Sequence, residues 1–166
     1  MSRTVGSTLP VPLWERLRGE DLAGRLGMAI LIATPDEAGW PHPAMLSYGE
    51  VVAMDSRRIR LAIQRASRTA VNLRRTGLIT LGFVEAGFAY YVKAAARVEE
   101  DPMAGMTNLA LFEATVQTVL ADEARADTEA GTIITEGIRF AVGRPAEAVL
   151  RDWECVLERL RGAACG

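Results

Sequence analysis

The chain has 166 residues, 19 basic and 21 acidic, for a net charge of −2. With 49% hydrophobic residues, this excludes a wholly disordered chain and a global electrostatic grip on nucleic acid. One histidine (His42) and two cysteines (Cys155 and Cys165, in no C-x-x-C pair) exclude a Cys/His metal framework and a disulfide framework. No metal site is expected, and Cys155 reads as an inert helix residue. The length fits one domain spanning 1–166. The first residues lack an apolar signal core, and the longest apolar run, Met28 to Ala33, is far too short to cross a bilayer. A cytoplasmic protein with no membrane partner is the expectation.

Residues 1–11, containing Gly, Ser, Thr and Pro, read as a loose arm. Pro12 to Arg18 reads as a short helix burying Leu13, Trp14 and Leu17, followed by a helical turn over Glu20 to Arg25. Met28 to Thr34 is a continuous apolar run rich in β-formers, which predicts a strand buried on both faces. Pro35 to Gly39 is a turn, and a second strand from Pro41 or His42 through Leu46 toward Val52 completes a hairpin. After a turn at Asp55 to Arg58, Ile59, Leu61 and Ile63 alternate with Arg60, Ala62 and Gln64, a strand pattern.

Ser67 to Thr76 predicts a short helix. Ser67 is its N-cap, Ala70 and Leu73 its apolar positions, Arg74 and Arg75 complement the dipole in its last turn, and Gly77 stops it. Strands follow over Leu78 to Val84 and Phe88 to Val98. From Asp101-Pro102 onward a helical region is predicted, because Leu109, Phe112, Val116 and Leu120 follow helical spacing. Ala121 to Gly131 reads as a loop. Ile138, Phe140 and Val142 mark a sixth strand, and Pro145 starts a final helix with Val149, Trp153, Val156 and Leu160 facing inward. The class expected is α+β and mainly β: a six-stranded barrel with flanking helices.

The informative stretch is the order strand, turn, strand, then Ser67-Arg-Thr-Ala-Val-Asn-Leu73 opening a helix. A helix N-terminus offers free N–H groups and the positive end of a dipole, which suit a phosphate. Ser67 and Thr69 can add hydroxyl donors, and Arg68 a bidentate charged one. Small or apolar residues such as Ala44 and Ala62 let the backbone approach a flat ring.

On the hairpin Leu31 to Pro43, the strand Ile59 to Ile63, the Ser67-Arg68 helix start and Asn72-Leu73, the chain resembles the pyridoxamine 5′-phosphate oxidase-like family of FMN-binding split barrels. The resemblance covers about residues 25 to 100. It implies a split β-barrel working as a homodimer, with the cofactor at the subunit interface. It also implies FMN held by Ala44, Met45, Leu46, Ser47, Ala62, Ile63, Ser67, Arg68, Thr69 and Asn72. The family's oxidases carry Arg-Lys where this chain has Arg68-Thr69, so a substrate other than pyridoxamine phosphate is expected. The activity implied is a flavin-dependent oxidoreductase acting by hydride transfer on a small molecule. No catalytic acid or base is identifiable. The alternative is a non-catalytic protein that binds or stores flavin, deazaflavin or haem, with His42 as the axial residue for haem.

Overall fold

The computed structural model describes residues 2–122, 124 and 129–163. Its strands are β1 (Ser2–Gly6), β2 (Ala29–Pro35), β3 (Pro41–Ser47), β4 (Val51–Ala53), β5 (Arg58–Gln64), β6 (Leu78–Glu85), β7 (Phe88–Glu100) and β8 (Leu109–Asp122). Its helices are α1 (Val11–Arg16), α2 (Arg68–Thr76) and α3 (Ala146–Leu160). All eight strands belong to one antiparallel sheet in the order β3-β2-β6-β7-β8-β5-β4, with β1 added against β8. The expected class holds: a curled, mainly β half-barrel with flanking helices.

The strand inventory differs from the sequence reading in three places. The region expected to be helical over Leu109 to Leu120 is the long strand β8, paired with β7 along its length and with β5 over Leu109 to Thr115. Alternation was hidden for two reasons. First, β8 is buried on both faces at its start: Ala110, Phe112, Ala114 and Val116 enter the barrel, while Leu109 and Leu111 pack with Val149, Trp153 and Leu157 of α3. Second, a bulge shifts the register. Lys93 pairs with Thr118 but Ala94 with Val116, so Gln117 is the extra residue and the inward parity passes to Val119. Together these mimic a helical spacing. The β-branched run Thr115, Val116, Thr118, Val119 was the contrary signal.

The sixth strand expected at Ile138 to Val142 is a single bridge, Met28 to Arg139. Ile138 O accepts from Ala29 N at 3.0 Å, and Phe140 N donates to Gly27 O at 2.8 Å. There is room for no more, because the start of β2 is already paired with β3 on one side and leaves only a short free length before β6 takes the other. Gly137 passes so near β6 that a Cβ there would lie 1.8 Å from Val84 O. Finally, part of the arm expected over 1–11 is β1, with Thr4 opposite Leu120.

The expectations for α2 match closely, and two others do not. Ser67 Oγ caps α2 by accepting from Ala70 N at 3.1 Å, and Gly77 ends it with φ +64° while donating to Leu73 O. In β2, Ile30, Ile32 and Thr34 are buried, but Leu31 on the opposite face is exposed, so the strand is not buried on both faces as expected. Cys155, expected to be inert, is disulfide-bonded, and its partner lies outside the described residues. No helix among the described residues is long and apolar enough to cross a membrane.

Two-sided burial of β8 has a direct test. Phe112→Ala should cost about 3–5 kcal/mol and Leu111→Ala about 2–5 kcal/mol. Urea unfolding of each variant measures both losses, and a neutral effect at either position would mean that face is not packed.

Candidate functional site

The sheet curls without closing. Among the described residues, no strand pairs with the outer edge of β3. β4 covers β5 only over Ile59 to Leu61, and among the described residues no strand pairs that edge over Ala62 to Gln64. The two free edges border one pocket of about 690 Å³, to which β3 contributes Met45, Leu46 and Ser47 and β5 contributes Gln64. The pocket therefore lies at the seam of the split barrel, between strand edges that share no ladder.

Its far wall is Leu109, Phe140, Trp153 and Val156. Trp153 presses onto Gly49, where a Cβ would fall 2.0 Å from the indole Cγ, so only glycine fits. The charged lining is Glu50, Arg139, Arg144 and Asp152. Glu50 is committed, its Oε2 accepting from Ser47 N at 2.6 Å and Ser47 Oγ at 2.7 Å. Asp152 is held by Arg144 at 2.7 Å.

The N-cap of α2, Ser67, lies three residues beyond Gln64. Arg68 is exposed, and its one ion-pair partner among the described residues is the equally exposed Glu37 at 3.8 Å. A second, smaller hollow joins Arg68 to His42, Asp36 and Glu37. Asp36 Oδ1 is taken up by the turn, accepting from Ala38 N and Trp40 N.

The ten residues singled out in the sequence thus separate into three groups. Met45, Leu46 and Ser47 line the seam, with half-buried Ala44 on the same strand. Ser67 and Arg68 stand at the exposed start of α2. Ala62, Ile63, Thr69 and Asn72 are buried, so they offer a ligand at most their backbone. Asn72 Nδ2 donates to Thr34 Oγ1 at 3.0 Å, a buried pair that ties α2 to β2. Gln64 and Arg139 were missed. Gln64 read as the end of a strand that could lie along a planar cofactor but was not singled out as a site residue, and Arg139 sat inside a predicted strand.

The end of β3 is held by a buried charge cluster. Tyr48, next to Ser47, donates its hydroxyl to Glu85 Oε1 at 2.5 Å, while Arg16 Nε and Arg25 Nη1 reach Glu85 Oε2 at 2.9 and 2.8 Å. Burial pushes the Tyr48 hydroxyl up, with the Glu85 hydrogen bond and charge adding to it. For Glu85, burial works upward, but the hydrogen bonds from Tyr48 and Arg16 and the charges of Arg25 and Arg16 outweigh it and hold the carboxyl below its ordinary value.

With this geometry in view, comparison with known proteins is informative. No family model matches the chain. Among solved structures, a candidate pyridoxamine 5′-phosphate oxidase from Lactobacillus delbrueckii superposes with a TM-score of 0.55 at 17% identity, covering 70% of this chain and 98% of that one. HupZ of Group A Streptococcus gives 0.51 at 15% identity, covering 76% and 98%. An F420 reductase gives 0.50 at 10% identity, covering 64% and 94%. The fold is that of the pyridoxamine 5′-phosphate oxidase-like, FMN-binding split barrels. An uncharacterized protein of Bacillus subtilis (strain 168), YclD, is 33% identical over 154 residues, covering 90% of this chain and 93% of its own. The chain belongs to the YclD family.

The charge cluster makes a pH prediction. Because Glu85 is held below its ordinary value, its contribution is fully present above the unfolded carboxyl pKa of about 4.3. It is lost as pH falls from there through the lowered folded value. Glu85→Gln should lower stability at neutral pH, by up to about 3–5 kcal/mol if the two arginines are left uncompensated. It should also flatten the acid limb of the pH–stability profile below about pH 4.3. Thermal melts at stepped pH measure both, and parallel acid limbs would count against the role given to Glu85.

Proposed function

We propose that this chain is an FMN-binding flavoprotein, with flavin in the seam between β3 and β5 and its phosphate at the start of α2. The observation that carries the reading is the pair of free strand edges beside one pocket, followed within three residues by a capped helix N-terminus. A planar ring with a polar rim matches backbone along Ala44–Leu46 and Ala62–Ile63 that faces no further strand, while Ser47 N and Gln64 O are already taken by Glu50 and Ser67 N. A phosphate matches the first N–H groups of α2, the Ser67 hydroxyl and the lightly engaged Arg68 guanidinium. Bound there, the flavin would supply hydride chemistry. The protein's part is to align the ring by its backbone edges, cover one face with apolar side chains and hold the phosphate. Within this reading the activity is oxidoreduction of a small molecule.

The reading includes a homodimer with the cofactor at the interface. Leu31 and Met45 pair directly across β2 and β3 on the outer face of the sheet, and both are exposed, as is Leu78 of β6. Exposed apolar neighbours on one sheet face suit burial against a second copy.

A second reading is supported by the pocket's own chemistry. Both carboxylates lining the seam, Glu50 and Asp152, are already bonded, so neither is a ready acid or base. That favours binding or storage of a flavin, deazaflavin or haem without turnover. The shared fold with an F420 reductase keeps a deazaflavin in view.

The decisive measurement is the visible spectrum after adding FMN and removing the excess. One flavin retained per chain is expected, and Arg68→Ala should weaken FMN binding roughly tenfold to a hundredfold, as loss of a charged hydrogen bond predicts. A colourless protein would sink the FMN reading. Reduction of the retained flavin by a nicotinamide donor, with turnover, would favour the enzyme over the carrier. For the interface, Leu78→Glu should convert a dimer to a monomer in sedimentation velocity. A monomeric wild type would remove the dimer.

A further inference from the structure

Parity along β5 sets the side on which Gln64 stands. Ile59, Leu61 and Ile63 enter the barrel core, while Ala62 packs with Leu111, Val149 and Trp153 on the α3 side. Residues two apart on a strand share a face, so Gln64 follows Ala62. Its register partner Leu109 belongs to the same α3-side cluster. Gln64 thus reaches the seam pocket from the face that α3 covers. Its backbone oxygen is taken by Ser67 N at 3.0 Å, but its side-chain amide has no hydrogen-bond partner among the described residues.

The wall beside it is apolar and aromatic. Val149, Trp153 and Val156 form one stripe of α3, and all three line the pocket. The Trp153 indole is a fixed plate, because it lies directly on Gly49. A second ring comes from the stretch 138–140, which the Ala29 to Ile138 and Phe140 to Gly27 hydrogen bonds pin beside β2. Arg139 belongs with the neighbouring hollow, since its bridge partner Met28 and its ion-pair partner Glu136 line that hollow with Glu85. Phe140 takes the opposite face, lines the seam pocket and is 41% exposed.

With Arg139 turned away, the charged groups left in the lining are Glu50, Arg144 and Asp152. Glu50 is held by Ser47, and Arg144 and Asp152 hold each other. An incoming anion would face two carboxylates, and an incoming cation would have to take one of them from Ser47 or Arg144. An uncharged molecule displaces neither. An amide side chain both donates and accepts, so the edge that matches Gln64 is another amide. The volume of about 690 Å³ lies in the usual range for small-molecule sites.

We infer that the α3 side of the seam pocket binds a small neutral aromatic carboxamide or lactam, its ring against Phe140 and Trp153 and its amide edge on Gln64. That this molecule is the flavin's redox partner rests on the flavin reading above. The binding site itself rests on the lining alone.

The test uses the full chain, with and without excess FMN, and 2-naphthamide as the probe. The controls are the anion 2-naphthoate and the cation 2-naphthylmethylammonium, each titrated by calorimetry. Naphthamide should bind, and both ions should bind at least tenfold more weakly. The near-isosteric Gln64→Met should weaken naphthamide about threefold to tenfold, as loss of an uncharged hydrogen bond predicts. Phe140→Ala should weaken it by a similar factor. Both side chains are exposed, so neither substitution should lower the melting temperature, which is checked alongside. Absence of naphthamide binding, equal or tighter binding of either ion, or unchanged affinity in either variant overturns the proposal. So does mutual displacement of FMN and naphthamide, since the whole pocket would then belong to the cofactor. Naphthamide binding that depends on Gln64 and Phe140 in a protein that retains no FMN supports the site and removes the flavin reading instead.

Discussion

β8 has to serve three partners at once, and the rest of the barrel follows from that constraint. Its first half pairs with β5, its last residues pair with β1, and β7 runs along its whole other edge. The bulge at Gln117 falls between these two pairings. A bulge adds local twist and bend to a strand, so the sheet curls where β8 hands over from one partner to the other. The curl brings β3 and β5 to one pocket without giving them a ladder to share. A closed barrel would have satisfied those edges with backbone hydrogen bonds. Here they stay free, and a site becomes possible.

The two faces of β8 also divide the core. The inner face, with Phe112 and Val116, fills the barrel together with β2, β6 and β7. The outer face, with Leu109 and Leu111, receives α3 through Trp153 and Leu157. α3 is therefore both a lid over the outer face of the sheet and one wall of the seam pocket. Gly49 makes this possible, since any side chain there would displace Trp153. Stability and site geometry are coupled through that single contact. On the other side, the Tyr48–Glu85–Arg16–Arg25 cluster holds the turn after β3, so the free edge of β3 is set by a buried electrostatic anchor.

The capped helix α2 was legible because its determinants are local. A cap at Ser67, an αL glycine at Gly77 and a strand ending at Gln64 are decided within a few residues of each other. Less legible was that the side chains of Ala62, Ile63, Thr69 and Asn72 are buried, because burial depends on what packs above them. The helix expected at Leu109 to Leu120 went astray for the same reason. Burial on two faces, plus one inserted residue, produces an apolar spacing that local periodicity cannot tell from a helix turn.

Taken alone, then, the residue order determined the mainly β class, the hairpin of β2 and β3, the capped helix α2 and the final amphipathic helix. In each of these the signal is short-range: alternation, turn chemistry, a cap, or one apolar stripe. Only the tertiary structure decided which strand edges stay unpaired among the described residues, which side chains of the candidate set reach solvent, and that the 138–140 segment packs against the start of β2. Those outcomes depend on contacts between residues far apart in the chain, such as Met28 with Arg139 and Gly49 with Trp153. No local pattern encodes the free energy of a contact whose partner lies a hundred residues away.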